Sequence, residues 1–210
     1  MPLRQDPRLL IDMDGTLVDS TVLVEATWTD FASRYGLDAA EVIRFAHGRP
    51  TGATVARFLS DPVLVERETA SLRTHEEGTS EGVVEVPGAA ALLATVPADR
   101  WALVTSASRL LAFNRMRTAG LEPPETGVFS DDITAGKPDP QPYLLGAKLL
   151  GVPPADCVAL EDSRAGIASA VAAGARVIVV GGVTDHDGEL PRVPDLRGLT
   201  YDAVVRLALD

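Results

Sequence analysis

Residues 9–20 read LLIDMDGTLVDS. The apolar run Leu9, Leu10, Ile11 stops on Asp12, and a second carboxylate, Asp14, follows ahead of Gly15 and Thr16. A short continuous apolar run bounded by turn residues predicts a strand buried on both faces. Carboxylates at the mouth of such a strand are costly to bury unless other groups compensate them. The rest of the chain has to supply those groups.

Working outward, WALVTS (101–106), CVALED (157–162) and RVIVVGG (176–182) have the same apolar character, and GVFS (127–130) has a weaker version of it. Between these runs, SRLLAFNRMRTAG (108–120), QPYLLGAKLLG (141–151) and SRAGIASAVAAG (163–174) repeat apolar residues at helical spacing and stop on glycine. Ser163 is placed to cap the last of them. Strands alternating with helices of crossover length predict an α/β fold, a doubly wound parallel sheet with helices on both faces. Residues 18–86 break the rhythm. LVEATWTDFASRYG, TGATVARFL and DPVLVERETASLRTHEEG read as amphipathic helices with no convincing strand among them. The reading is a core of residues 1–17 and 87–210 with a small helical cap, 18–86, inserted after the first strand. Its hinges fall near 15–20 and 81–88. TDHDGELPRVPDLRGLTYDAVVRLALD (184–210) reads as a loop leading to a final helix.

With 210 residues the chain can hold one sizeable core and a satellite unit. Its net charge of −11 argues against a nucleic-acid partner, which calls for a basic face. No apolar run approaches the ~20 residues of a membrane span and no leader-like segment opens the chain. The expectation is a cytoplasmic, monomeric protein without a membrane partner. The single cysteine, Cys157, reads as a small buried residue at a strand start.

The strand ends carry the chemistry. After Asp12 and Asp14 come Thr105 and Ser106 on the second run, Glu161, Asp162 and Ser163 on the fourth, and Gly136-Lys137-Pro138 past the weak run. Open α/β sheets bind ligands at the carboxyl ends of their strands, so these scattered residues converge on one edge. Three carboxylates in a small space need a cation, and oxygen ligands favour Mg²⁺, which commonly meets substrate phosphates. Ser106 near a helix N-terminus and Lys137 suit an anion. A phosphoryl group fits, with Asp12 as nucleophile and Asp14 as the acid and base that serves the leaving oxygen and then the water.

The stretches DMDGTLVDS, VTSAS, GKPDPQPY and LEDSRAGIASAVAAGA resemble, in order, the four motifs of haloacid dehalogenase-like hydrolases, and the resemblance covers nearly the whole chain. It implies a Rossmann-like core with a helical cap, and Asp12 and Asp14 as the catalytic pair. Mg²⁺ would be held by the Asp12 side chain, the Asp14 carbonyl and Asp162 with Glu161 in support, and the phosphoryl group by Ser106, Ala107 and Lys137. For Glu161, a supporting or water-mediated role and a purely structural hydrogen bond stay open. ATWTDFASRYG and HGRPTGATVARFL look like cap segments of the glycerol-phosphate and 2-deoxyglucose-phosphate phosphatases of this family. The dehalogenases lack the second acid. The β-phosphoglucomutases carry a cap His where Val24 stands and a cap Arg where Thr51 stands. The resemblance therefore implies a phosphatase of a small phosphorylated metabolite, a sugar or polyol monophosphate, ahead of a phosphosugar mutase or a non-catalytic binding protein on the same fold.

His47 and Arg49 fall on a cap loop that can face the substrate. Thr16 is expected to steady the turn, and Ser106 to cap a helix as well as hold phosphate. Asp131 and Asp132 read as loop acids. His75-Glu76-Glu77 lacks the second His of a zinc helix and reads as a solvated face. VVGG at 179–182 lacks the further glycines of a dinucleotide turn.

Overall fold

The computed structural model describes residues 6–182 and 190–209. The first part of the C-terminal segment, 183–189, on which a loop is expected, lies outside the described residues. The strands are β1 (Arg8–Ile11), β2 (Val18–Asp19), β3 (Val84–Glu85), β4 (Trp101–Val104), β5 (Gly127–Val128), β6 (Cys157–Glu161), β7 (Arg176–Val180) and β8 (Arg192–Val193). The helices are α1 (Thr21–Tyr35), α2 (Ala39–Ala46), α3 (Thr51–Phe58), α4 (Pro62–Gly78), α5 (Ala89–Leu93), α6 (Arg109–Thr118), α7 (Gln141–Leu149), α8 (Arg164–Ala173) and α9 (Tyr201–Leu207).

Six strands form a parallel sheet in the order β5-β4-β1-β6-β7-β8. The sequence runs as it does because each central strand is buried on both faces, and alternate side chains feed two separate cores. Leu9, Leu103, Leu160 and Ile178 belong to the first. Leu10, Ala102, Ala159 and Val177 belong to the second. Cys157 opens β6 fully buried, and burial pushes its thiol up to about 12, so it packs as an inert small residue.

The helical insertion has a core of its own, with Trp28, Phe31, Val42, Val55 and Leu72 at its centre. α2 and the two-residue strands are additions to the sequence reading. Asp38 caps α2 by accepting from the Glu41 N–H at 2.9 Å. β2 and β3 pair antiparallel, Val18 with Glu85 and Asp19 with Val84, so both chain crossings between sheet and insertion run through one ribbon.

Register positions the site. Ile11 pairs with Leu103 on one side and Leu160 on the other, and the Asp12 N–H still donates to the Leu160 carbonyl at 3.1 Å. Asp12 and Glu161 therefore share one row at the carboxyl edge of the sheet, and Thr105 stands one residue further along the neighbouring strand.

Candidate active site

At the centre of that row lies Lys137, brought in by the loop before α7. Its side chain is 1% exposed, and its ammonium donates at 2.5 Å to both Asp12 Oδ1 and Glu161 Oε1. Burial alone pulls a lysine down, but the charges of Asp12 and Glu161 outweigh it and hold Lys137 above its ordinary value. Glu161 is saturated by the protein. Oε1 also accepts from the Tyr143 hydroxyl at 2.9 Å, and Oε2 accepts from the backbone N–H groups of Asp162 and Ser163 and from the Ser163 hydroxyl. Gly166 of α8 is glycine for the same reason: a Cβ there would lie 1.6 Å from Glu161 Oε1.

Asp12, Glu161 and Asp162 each offer a carboxylate oxygen within 4.8 Å of the others. Fully ionised, three carboxylates against one ammonium would carry two uncompensated negative charges, and the carboxyls respond to that cost. The Asp12 carboxyl is raised to about 7, first by burial and then by Glu161, against the pull of Lys137. Asp162 is pushed well up by burial, then by Glu161 and Asp12. The cluster is therefore short of positive charge by the amount a divalent cation carries, and its donors are all hard oxygens. Asp162 is held by Thr16, whose hydroxyl donates to Oδ1 at 3.3 Å, so Thr16 does more than steady the turn. Gly15, at φ 85°, lets the chain pass so close that a Cβ would lie 1.9 Å from Asp162 Oδ2.

Asp14 turns toward the insertion. Its Oδ1 accepts from the Ser20 hydroxyl at 2.6 Å, and both oxygens accept from Arg115 Nη1 at 2.8 Å. Ser106 is not a helix cap; that place is taken by Ser108, which accepts from the Leu111 N–H. The Ser106 hydroxyl instead donates to the Gly48 carbonyl of the insertion at 2.9 Å, while the Ala107 N–H donates to Thr105 Oγ1 at 3.1 Å.

The insertion is docked over this edge. Ser108 donates to Glu77 Oε1 at 2.6 Å and the Asn114 amide donates to the Glu77 carbonyl at 3.1 Å. Between them lies a cavity of about 100 Å³. Asp12, Asp14, Ser106, Ala107 and Asp162 line it from the sheet, and Val24, His47, Arg49, Thr51 and Glu76 from the insertion. His47 and Arg49 are thus on the cavity wall. Arg49 Nη1 donates to the Phe45 carbonyl at 2.8 Å and its guanidinium stacks 4.3 Å from the Phe45 ring. Asp131 and Asp132 sit in a turn that binds Arg109.

The 75–77 stretch is a correction to the sequence reading. His75 is exposed, but Glu76 is only 5% exposed and faces the cavity, and Glu77 makes the docking contact above. Arg115 was missed as well. The local signal for either is weak: Glu76 shares the buried face of α4 with Leu72 and a second charge, Glu68, and Arg115 shares that of α6 with Leu111, Ala112 and Met116.

The family model for haloacid dehalogenase-like hydrolases matches residues 8–174. Hexitol phosphatase A of Escherichia coli is 42% identical over 183 residues, 84% of this chain and 83% of that protein. Glycerol-1-phosphate phosphohydrolase 1 of Saccharomyces cerevisiae is 33% identical over 89% of this chain and 82% of its own length. Among solved structures, a hydrolase from Pseudomonas syringae superposes with a TM-score of 0.80 at 24% identity, over 90% of this chain and 94% of that one, a likeness of fold.

Proposed function

The chain belongs to the haloacid dehalogenase-like hydrolases, and from that premise we propose that it is a Mg²⁺-dependent phosphatase of small sugar or polyol monophosphates. One observation carries the reading: Lys137 bridges Asp12 and Glu161 within a carboxylate cluster that, fully ionised, is short of two positive charges, and Asp12, Asp14 and Asp162 line one cavity. The names of the relatives, a hexitol phosphatase and a glycerol-1-phosphate phosphohydrolase, support the substrate class.

The Asp12 and Asp162 side chains, with the Asp14 carbonyl, would hold the ion. When bound it supplies charge neutralisation for the phosphoryl oxygens. Glu161 is assigned to ordering the site, because its lone pairs are already taken by Lys137, Tyr143 and the start of α8. Lys137 fixes the rotation of Asp12 and gives the phosphoryl group a fixed positive charge beside the nucleophile. A carboxylate oxygen of Asp12 bonds to phosphorus as the ester P–O bond breaks, and Asp14 gives its proton to the departing alcohol. Asp14 then takes a proton from water, which attacks the aspartyl-phosphate, releases inorganic phosphate and restores Asp12. Monoester hydrolysis asks for up to ~20 kcal/mol or more of barrier reduction. Preorganised charge supplies the larger share, because Lys137 is held in place before substrate arrives. The docked insertion keeps bulk water from the aspartyl-phosphate.

A mutase reading gains nothing here. Val24 and Thr51, where the mutases carry His and Arg, both line the cavity, and Thr51 is engaged with Glu76. The test is phosphate release from a panel of hexitol, glycerol, hexose and nucleotide monophosphates, with Mg²⁺ and with chelator. Metal-dependent release concentrated on polyol or sugar phosphates is expected. Isomerised substrate without free phosphate would move the assignment to a mutase.

A further inference from the structure

The cavity wall beyond Asp14 holds two charged groups that the proposed reaction does not use. Arg115 is 3% exposed and commits only Nη1, to Asp14. Its Nε and Nη2 are buried and, among the described residues, have no hydrogen-bond partner. Buried donors left unpaired are rare and costly, and a guanidinium has no other protonation state to escape into. The same cavity is lined by Glu76 of α4, also buried, whose Oε2 accepts from the Thr51 hydroxyl at 2.9 Å. Burial raises the Glu76 carboxyl, and the charge of Arg115 acts on it in the other direction. A residue with unpaired donors and a carboxylate thus line one small cavity together. A hydroxyl, which both donates and accepts, matches such a pair.

The charges sort the possible ligands further. On this wall Asp14 and Glu76 stand against Arg115 alone, so a second anionic group on the substrate would meet net negative charge. Arg49 does not reverse this. It also lines the neighbouring cavity with Asp162 and Ser163, which puts it toward the metal cluster, and it is held by Phe45.

Resting on the phosphatase reading, we infer that Arg115 and Glu76 form a hydroxyl-reading subsite that receives the uncharged polyhydroxy chain of a monophosphate and rejects a second phosphate or carboxylate.

The test compares a hexitol 1-phosphate with propyl phosphate, an ester that needs the same proton from Asp14 but carries no hydroxyl chain, in the wild type, Glu76→Gln and Arg115→Lys. Glutamine keeps the acceptor for Thr51, and lysine keeps a cation on Asp14 while removing the unpaired donors. Each substitution should lower kcat/KM on the hexitol phosphate about 10- to 100-fold, and by at least about tenfold more than on propyl phosphate. A hexitol 1,6-bisphosphate should inhibit Glu76→Gln at least about fivefold more tightly than the wild type, because one repelling charge is gone. Arg115→Lys reads the same wall independently should Glu76→Gln fail to fold, which thermal unfolding will reveal. Equal losses on both substrates, or none on the hexitol phosphate, would overturn the subsite and leave the phosphatase intact. A wild type inert on both substrates would take down the phosphatase reading and the subsite with it.

Discussion

Lys137→Met is the perturbation that most directly probes how the site is held together. Methionine fills nearly the same volume but removes the ammonium that touches both Asp12 and Glu161 at 2.5 Å with 1% side-chain exposure. Two buried carboxylates are left facing each other, and breaking a buried pair in this way costs about 3–5 kcal/mol. For a chain of this size that lowers Tm by about 6–20 °C. The effect carries a pH signature. Asp12 has a folded value of about 7 against 3.8 unfolded, so the folded protein binds more protons and stability falls as pH climbs between those values. Removing Lys137 lifts the folded value further and extends the loss upward in pH. Thermal unfolding in chelator should therefore show a larger penalty at pH 8 than at pH 5, and Glu161→Gln in the same chain should recover part of it. A loss below about 1 kcal/mol, or one that does not change with pH, would refute the idea that Lys137 compensates a buried anionic cluster.

Gly166→Ala places a methyl 1.6 Å from Glu161 Oε1, so Glu161 must move and release its donors. Urea unfolding should show a loss of about 3 kcal/mol or more, and an unchanged midpoint would show that the close approach is not required. Because Asp12 and Asp162 are both held above their ordinary values, Mg²⁺ should bind more tightly as pH rises through about 7 and release protons on binding. Calorimetry at pH 6.5 in two buffers of different ionisation heat checks this, and heats that agree between buffers would contradict it. Ser108→Ala should cost about 1–2 kcal/mol through loss of the α6 cap, whereas Glu77→Gln, which keeps that cap and weakens only the docking contact, should cost less. The opposite ranking in denaturant titrations would mean that the insertion is held mainly at Glu77.

How much of this was legible before any coordinates existed varies with the range of the signal. The central strands are short runs buried on two faces, and their alternation with glycine-ended helices leaves few topologies, so the parallel sheet and the meeting of Asp12, Lys137, Glu161 and Asp162 at its edge could be anticipated. β4, β5, β6 and β7 are one or two residues shorter than the runs read for them, and β1 is shifted by one, because the strand-end residues already leave the ladder. β2, β3 and β8, each of two residues, carry no periodicity to detect. α2 was passed over although Asp38 and the spacing of Val42 and Ala46 mark it. Local pattern does not distinguish Ser106 from Ser108 as the cap, since both precede the helix; the Leu111 N–H bond to Ser108 and the docking of Ser106 on Gly48 separate them. Arg115 and Glu76 were hidden for another reason. A charge reads as solvated unless its partner is known, and the partners here are Asp14, 101 residues from Arg115, and Thr51, 25 residues from Glu76.

The central claim, that Asp12 takes the phosphoryl group, is tested most directly by acid-quenching the enzyme during turnover of a polyol phosphate with Mg²⁺ and mapping the phosphorylated peptide by mass spectrometry. The expected result is a phosphoryl group on Asp12 that is absent in Asp12→Asn, a variant expected to fold and not to turn over. Turnover near the wild-type rate in that variant, or the label on another residue, would contradict it.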